Sequence, residues 1–304
     1  MDAISRAIGG AKAGFQNLMP ILLDEPFKNH TSFKIGGPVR AMFFPKDLIS
    51  FTGLCKLLHE YEITPFILGC GTNLLAGDGK HDIVVVKTTG NKNIVQSGET
   101  ELLAEAGAMI SKLAVFASKL GLSGLEFAHG IPGTVGGAVV MNAGAYGGEM
   151  KDIVHSTTVY NIKTGDYAIT AGEHEFAYRH SRFSNTDDIV LSTKIKLIKG
   201  DRESIKQKMD ELSARRHQSQ PLDMPSAGST FKRPADGYAA ALIEEAGLKG
   251  YKFGGAQVSE KHAGFIINRS DATFNDVMSL IEHVQKTVQM RFCIDLEPEI
   301  KIIM

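Results

Sequence analysis

Two glycine-rich loops contain the residue types best suited to binding a phosphorylated or flat ligand. The first reads Gly69-Cys70-Gly71-Thr72-Asn73-Leu74, and the second runs from Gly130 to Ala138 and includes Gly133, Thr134, Gly136 and Gly137. Glycines allow successive backbone N–H groups to point at one anion, and threonine and asparagine side chains add donors. The first loop lacks the third glycine of a dinucleotide fingerprint and the lysine of a P-loop. A phosphate cradle and a tight turn therefore remain equally open for it.

The second loop contains more glycine than packing alone explains. Each glycine costs backbone entropy, so a stable fold keeps one only where no Cβ fits. Close packing would account for one or two of these positions, whereas a bound flat or phosphorylated cofactor accounts for all of them better. Two such loops without a Rossmann fingerprint indicate a cofactor with an extended pyrophosphate.

Apolar periodicity predicts the elements that position the two loops. A strand at Val39–Phe44, a helix capped by Asp47 and strands at 65–68 and 83–86 form a βαβ-like unit around the first loop. A helix at 110–120, stopped by Gly121, precedes the second loop, and strand-like segments follow at 157–162 and 189–197.

The pattern of apolar and charged residues changes near residue 200. A charged linker helix at 202–216 is followed by a helix at 238–246 and a strand at 263–267. A long helix then begins at Thr273, where Asp276 completes a capping box, and a strand at 300–303 ends the chain. We predict an α+β second half that begins near this point.

Composition limits the partners and the compartment. The 304 residues include 33 Lys and Arg against 34 Asp and Glu, and a net charge of −1 gives no reason to expect nucleic acid or an anionic membrane. The glycine-rich window at 130–148 is uncharged but too poor in large apolar residues to span a bilayer. The chain has three cysteines, Cys55, Cys70 and Cys293, which are not spaced like metal ligands. So small and odd a number is typical of a protein from the reducing cytosol rather than of a disulfide-bonded one. The N-terminus has no secretory apolar region. We expect a cytoplasmic protein without a metal.

Five strings stand in a fixed order along the chain: GCGTNLL at 69–75, LEFAHGIPGTVGGAVVMNAGAYGGE at 125–149, YRHSRF at 178–183, PSAGSTFK at 225–232 and LEPE at 296–299. In this order they resemble the UDP-N-acetylenolpyruvoylglucosamine reductase (UDP-N-acetylmuramate dehydrogenase) family of bacterial peptidoglycan synthesis. No single string is specific, but the ordered set is, and the likeness runs from about Asn29 to the C-terminus. Because no insertion lies between Phe183 and the linker helix, the chain is most similar to the shorter, type II form.

The resemblance implies an α+β architecture with a two-subdomain FAD-binding region of vanillyl-alcohol-oxidase (PCMH) type and a separate α+β substrate-binding domain. On this basis residues 1–28 form a leader helix and connector, and residues 29–200 form the FAD-binding region, with subdomains at about 29–90 and 91–200. Residues 201–304 form the linker helix and the substrate-binding domain. The resemblance further implies non-covalent FAD, NADPH as co-substrate, UDP-N-acetylglucosamine enolpyruvate as substrate, and a monomer.

The resemblance also assigns roles to individual residues. Arg179, Ser229 and Glu299 would be catalytic, with Arg179 on the substrate carboxylate and Ser229 as proton donor. Cofactor binding would fall to Gly69, Cys70, Gly71, Thr72, Asn73, Leu74, Gly133, Thr134, Gly136, Gly137, Ala138 and Arg216, and substrate binding to Tyr178, Lys232 and Arg233. Without the resemblance, Ser229 reads as a turn serine, Arg179 as a surface ion-pair partner and Glu299 as an edge carboxylate. For Arg216 two interpretations remain equally open: it binds the cofactor phosphates, or it is a solvated surface charge.

Two alternatives remain at this point. One is a flavin oxidase of the same fold, many of which tether flavin covalently through histidine or cysteine; here the loop offers Cys70 but no histidine. For Cys70, however, packing as a small apolar residue is favoured over redox chemistry. The other alternative is a non-enzymatic binder of UDP-sugars or flavin, which would have no use for Arg179, Ser229 and Glu299 together.

Overall fold

A computed structural model describes residues 2–15, 19–161, 164–184 and 186–304. The chain divides into two compact units. The first contains residues 1–23, 41–70 and 83–214, and the second contains residues 24–40, 71–82 and 215–304. The chain thus passes from one unit to the other five times. Part of the predicted leader and connector, at Met1 and residues 16–18, and the last residue of the predicted strand at 157–162 lie outside the described residues.

The helices and strands have the following bounds. The helices are α1 (Ala3–Phe15), α2 (Leu48–Glu60), α3 (Ile110–Lys119), α4 (Val135–Val140), α5 (Arg202–Ser219), α6 (Ala239–Glu245) and α7 (Phe274–Phe292). The strands are β1 (Ile21–Pro26), β2 (Pro38–Phe43), β3 (Phe66–Leu68), β4 (Leu74–Ala76), β5 (His81–Lys87), β6 (Ile94–Gln96), β7 (Glu101–Glu105), β8 (Leu122–Ser123), β9 (Gly144–Ala145), β10 (Gly148–Glu149), β11 (Val154–Asn161), β12 (Gly165–Thr170), β13 (Ile189–Lys196), β14 (Ile198–Lys199), β15 (Ser226–Ser229), β16 (Lys252–Phe253), β17 (Ala256–Val258), β18 (Phe265–Asn268) and β19 (Lys301–Ile303).

The first layer of the first unit confirms the predicted βαβ-like arrangement. A sheet of order β1-β2-β5-β3 pairs β3 with β5 in parallel, so Leu68 lies opposite Lys87 at the carboxyl ends of both strands. Asp47 accepts the N–H of Ser50 at 2.8 Å and begins α2 as the sequence predicts. Phe51 lies on the buried face of α2, in the same core cluster as Val84 of the sheet. The first glycine loop therefore follows directly from a parallel strand end.

A second, antiparallel sheet forms the larger core of the first unit. Its order is β12-β11-β13-β7-β6, and the predicted strands at 157–162 and 189–197 appear as β11 and β13. Leu113 of α3 and Val135 and Val139 of α4 are buried in the core of this layer. The second glycine loop thus lies on the path between α3 and α4.

The second unit is a four-stranded antiparallel sheet packed with helices. The sheet has the order β15-β18-β17-β16, and its core contains the predicted apolar stripe of α7, including Leu280 and Val284. Thr273 and Asp276 form the predicted capping box. The β16–β17 hairpin was not anticipated, and neither was the parallel pair of β4 with β19, which joins the end of the chain to residues 74–76.

Candidate active site

The two glycine loops meet inside the first unit. A Cβ placed on Gly69 would lie 2.5 Å from Oγ1 of Thr134, so only glycine allows this approach. Met109 forms a β-bridge with Thr134, and the Cys70 thiol donates to Met109 Sδ at 3.3 Å. The cofactor residues predicted at 69–70 and 133–138 are therefore brought together, and Met109 joins them as a residue that the sequence did not indicate.

The second loop corrects one part of the sequence interpretation. The N–H groups of Val135 and Gly136 donate to the carbonyls of Ala108 and Ala106, both at 2.8 Å, and Gly137 N–H donates to Thr134 Oγ1 at 3.3 Å. A Cβ on Gly136 would lie 2.9 Å from the Ala106 Cβ. These amides are already engaged, so they do not form the expected row of phosphate donors, and close packing explains Gly136 directly.

Close packing also explains glycines beyond that loop. Cβ atoms on Gly144 and Gly148 would lie 2.7 Å from the Glu149 Cβ and 2.6 Å from the Phe127 ring. In the second unit, a Cβ on Gly255 would lie 2.3 Å from the Ser270 carbonyl oxygen. Close packing therefore also accounts for these three glycines, in addition to Gly136 in the loop itself.

Residues 71–74 of the first loop belong to the second unit, and here the turn interpretation holds for Gly71. Gly71 has φ +64°, and a Cβ there would lie 2.4 Å from the His30 carbonyl oxygen. Asn73 Nδ2 donates to the Glu299 carbonyl at 3.2 Å, and the Leu74 side chain is buried in β4. Leu74 therefore packs within its own unit rather than presenting its side chain to a ligand, and Thr72 is half-buried.

A buried lysine accompanies the first loop. Lys87 is 8% exposed at the end of β5, opposite the residue that precedes Gly69. Burial lowers the pKa of Lys87 and raises the pKa of the Cys70 thiol, and the lysine charge counteracts part of the latter effect. The raised pKa disfavours the thiolate form of Cys70, which is in contact with Met109. The lysine that ends the apolar run 83–86 was the signal that could have identified this position.

Arg179 occupies a strained two-residue turn. Ala177 and His180 form a β-bridge around Tyr178 and Arg179, and Arg179 has φ +53°. A left-handed conformation at a residue other than glycine costs energy and persists only where the surroundings hold it, typically at functional sites. The guanidinium lies 5.1 Å from the centre of the exposed Tyr178 ring, and Nη2 donates to the Gly144 carbonyl at 3.4 Å. The turn therefore presents a half-buried cation next to an exposed aromatic ring.

Ser229 and Glu299 come close together within the second unit. Glu299 N–H donates to the Thr230 carbonyl at 2.8 Å, so the two predicted catalytic residues lie on hydrogen-bonded neighbouring segments. Between Ser226 and Ser229 the pairing of β15 with β18 shifts register, and Gly228 in this bulge has φ +80° with no atom within 4 Å of a built Cβ. A β-bulge redirects the next side chain and is common beside active sites. Ser229 thus follows a glycine with open space beside it, as a ligand site needs.

The remaining predicted residues differ in their environments. Lys232 pairs with Glu297 at 2.5 Å, whereas the Arg233 guanidinium lies 4.1 Å from the centre of the Tyr238 ring. Tyr238 is 60% exposed and was not identified from the sequence, although an aromatic residue five positions after an arginine was visible. Arg216 is only 7% exposed, which excludes the alternative of a solvated charge.

Within the described ranges 2–15, 19–161, 164–184 and 186–304, no group of three or more His, Cys, Asp or Glu residues is arranged to hold a metal ion. No helix in those ranges combines the length and apolar character needed to cross a membrane. The three cysteines are free thiols.

Comparison with known proteins defines the class of the protein. The sequence profile described as FAD binding domain matches residues 39–171, and together with the relatives described below it shows that the chain is an FAD-dependent oxidoreductase with a PCMH-type fold. A second profile, described as UDP-N-acetylenolpyruvoylglucosamine reductase, C-terminal domain, matches residues 220–303. Together with the relatives described next, these matches show that the chain belongs to the UDP-N-acetylenolpyruvoylglucosamine reductase family, as its motifs predict.

Relatives with that name cover most of the chain. The protein from Caldanaerobacter subterraneus subsp. tengcongensis is 51% identical over 93% of each chain, and the one from Clostridioides difficile is 43% identical over the same shares. The crystal structure of the Thermus caldophilus reductase has a TM-score of 0.79 and 31% identity, covering 94% of this chain and 99% of that one. An alkyldihydroxyacetonephosphate synthase, at 17% identity and a TM-score of 0.50, covers 64% of this chain and 40% of its own and shares the fold alone. The predicted fold class is confirmed.

Proposed function

We propose that this chain reduces UDP-N-acetylglucosamine enolpyruvate to UDP-N-acetylmuramate for peptidoglycan synthesis, with NADPH as the hydride donor. The observation that carries the proposal is the pairing of Ser229 and Glu299 on hydrogen-bonded segments of the domain that matches the reductase family. A binder of UDP-sugars or flavin would need neither a proton donor nor a carboxylate at that place.

The residues of the first unit suit FAD. Gly69 packs so closely on Thr134 that a Cβ would lie 2.5 Å from Oγ1, and this contact brings the two loops together as parts of one proposed cofactor site. Gly69, Cys70, Gly133 and Thr134 would hold the cofactor there, with Met109 and Lys87 as additions to the predicted set. Bound FAD supplies hydride transfer from NADPH to the substrate, while the protein supplies binding, orientation and charge.

Arg179 would bind the carboxylate of the enolpyruvyl group. When hydride adds to the terminal carbon, the electron pair of the double bond moves to the adjacent carbon and its carboxylate. A guanidinium is permanently charged and donates through a planar fork, so it stabilises the charge that grows there. Tyr178 would keep this cation in place through its ring.

Ser229 would complete the reduction by protonating the adjacent carbon. Its hydroxyl is a weak acid, so this role requires the strongly basic carbon that hydride addition creates. The serine then recovers its proton from solvent, and the product is the saturated ether. Glu299 would hydrogen-bond the same carboxylate, and Lys232 and Arg233 would bind other parts of the UDP-sugar. Arg216 stays a candidate for the cofactor phosphates. We further propose a type II, cytoplasmic monomer with non-covalent FAD.

The test separates the two half-reactions by anaerobic stopped-flow. Ser229→Ala should leave the reduction of FAD by NADPH nearly unchanged but severely slow its reoxidation by the enolpyruvyl UDP-sugar, because only the second step uses the proton. Ser226→Ala, in the same strand, is the matched control and should retain both rates. Equal losses in both halves for Ser229→Ala would refute the assigned role.

A second variant tests the carboxylate site. Arg179→Lys keeps the charge but lacks the bidentate fork, so reoxidation of the flavin by the substrate should be severely impaired. Wild-type turnover by Arg179→Lys would show that this residue does not clamp the carboxylate. Flavin that stays on the protein after acid precipitation would instead favour the covalent oxidase alternative.

A further inference from the structure

A buried side chain from a different part of the first unit holds the turn that carries Arg179. Asn142 is 0% exposed, and its Nδ2 donates to the Ala177 carbonyl at 3.0 Å. The same carbonyl accepts the N–H of His180 at 3.2 Å, which closes the two-residue turn. Because both bonds end on one oxygen, Asn142 fixes the backbone from which the Arg179 side chain departs.

The orientation of the Asn142 amide is determined by its partners. Its Oδ1 accepts the Lys151 N–H at 2.9 Å, and Nδ2 donates a second bond to Glu149 Oε2 at 2.5 Å. A flipped amide would direct its oxygen at two oxygens and its NH₂ group at an N–H, so only one orientation satisfies all three partners. Glu149 therefore holds the donor that reaches the turn.

The same short segment also contacts the guanidinium. Asn142 has φ +41°, and Gly144, two residues later, accepts Nη2 of Arg179 at 3.4 Å. Arg179 itself has φ +53°, a conformation that needs support from surrounding structure. The backbone and the charged end of Arg179 are thus both anchored to residues 142–149.

We propose that Asn142 is a positioning residue that sets the Arg179 guanidinium for the substrate carboxylate, with Glu149 orienting its amide. This inference rests on the proposed function, because it requires Arg179 to bind that carboxylate. A displacement of about 1 Å at a group that positions substrate can cost about 100-fold in rate. Asn142 is fully buried, so its role would be to act on the guanidinium through the turn.

The experiment measures both half-reactions of Asn142→Ala. Reoxidation of the flavin by the enolpyruvyl UDP-sugar should slow about 10- to 100-fold, whereas reduction by NADPH and the FAD content should be unchanged. Asn161→Ala is the matched control, since Asn161 Nδ2 also donates to a carboxylate of this unit, Asp188 Oδ1, at 2.6 Å. It should retain both rates. Equal losses in both halves for Asn142→Ala would indicate a general structural role and overturn the inference.

A double-mutant cycle with Arg179→Ala shows whether Asn142 acts through the arginine. The double variant should reoxidise as slowly as Arg179→Ala alone, because the positioned group is already absent. Losses that multiply would overturn the inference. If Arg179→Ala is slow but Asn142→Ala is not, only the inference fails; if Arg179→Ala reoxidises at full rate, the proposed function fails with it.

If Asn142→Ala does not fold, a double variant that moves the carboxylate from position 149 to position 142 tests the same positioning role. Asn142→Asp with Glu149→Gln restores the bond between the two side chains in the reverse direction and keeps an acceptor for Lys151 N–H. It does not restore the donor to the Ala177 carbonyl. We expect this variant to fold and bind FAD but to reoxidise slowly, and full recovery of the rate would overturn the inference.

Discussion

Gly69→Ala tests the contact between the two glycine loops. The added Cβ would lie 2.5 Å from Thr134 Oγ1, 3.2 Å from its Cγ2 and 3.4 Å from its Cβ. Overpacking of this kind costs about 1–3 kcal/mol. Thr134 cannot easily rotate away, because its Oγ1 caps α4 by accepting the Gly137 N–H at 3.3 Å. We therefore expect Gly69→Ala to lower the free energy of unfolding and to weaken FAD binding.

Thr134→Ala should relieve this clash. It costs the helix cap, about 1 kcal/mol, but it removes Oγ1 and Cγ2 and leaves only the Cβ contact at 3.4 Å. The double variant should therefore be about as stable as Thr134→Ala alone. The two substitutions would then show a coupling of about 1–3 kcal/mol.

Urea unfolding of the FAD-free protein, followed by circular dichroism, gives the free energy of unfolding of the wild type, the two single variants and the double variant. Flavin fluorescence measures the affinity of each protein for FAD. Gly79→Ala is the matched control, because no atom lies within 4 Å of a Cβ built at this position. The same exchange of glycine for alanine should there raise the free energy of unfolding by up to about 1 kcal/mol. Additive losses of unfolding free energy for Gly69→Ala and Thr134→Ala would show that the loops do not touch at these two residues.

Three further predictions concern stability and thiol chemistry. Burial lowers the pKa of His262 from 6.5, so protonation favours the unfolded chain. The free energy of unfolding should therefore fall as the pH drops below about 6.5. Urea titrations at several pH values should show a weaker dependence of stability on pH for His262→Gln. Cys293 is exposed, whereas burial raises the pKa of Cys55 to about 12, so mass spectrometry should find iodoacetamide on Cys293 first and on Cys55 last, and the reverse order would contradict the structure. Thr273→Ala removes the cap of α7 and should lower the free energy of unfolding by about 1 kcal/mol; an unchanged urea midpoint would contradict the capping role.

The sequence predicts features that depend on local rules. The cap at Asp47, the capping box at Thr273 and the core stripe of α7 follow from residue types a few positions apart, and all are present. These features need no knowledge of which distant segments pair.

Features that depend on distant partners could not be predicted. The bulge before Ser229 is defined by the register of β15 against Phe265, and the bond from Asn142 to Ala177 spans 35 residues. Segments 24–40 and 71–82 join the second unit because Phe33, Ile35 and Leu75 are buried in its core. None of these pairings leaves a periodic signal in the chain.

The glycines show a different limit of sequence reasoning. A glycine kept for close packing and one kept for a ligand look the same in sequence, because both exclude a Cβ. Gly136 and Gly144 prove to be packed against protein atoms. At Gly228 a built Cβ would meet no atom within 4 Å, and there the left-handed φ of +80° explains why glycine is required.

Hydride transfer to an enolpyruvyl UDP-sugar can be followed in a single assay. The purified protein is mixed with NADPH, and absorbance at the nicotinamide band is followed before and after addition of UDP-N-acetylglucosamine enolpyruvate. We expect a yellow protein that releases FAD on acid precipitation, sustained NADPH oxidation only after the UDP-sugar is added, and UDP-N-acetylmuramate in an amount equal to the NADPH consumed. Sustained NADPH oxidation driven by O₂ alone, or none with the UDP-sugar present, would contradict the proposed hydride transfer.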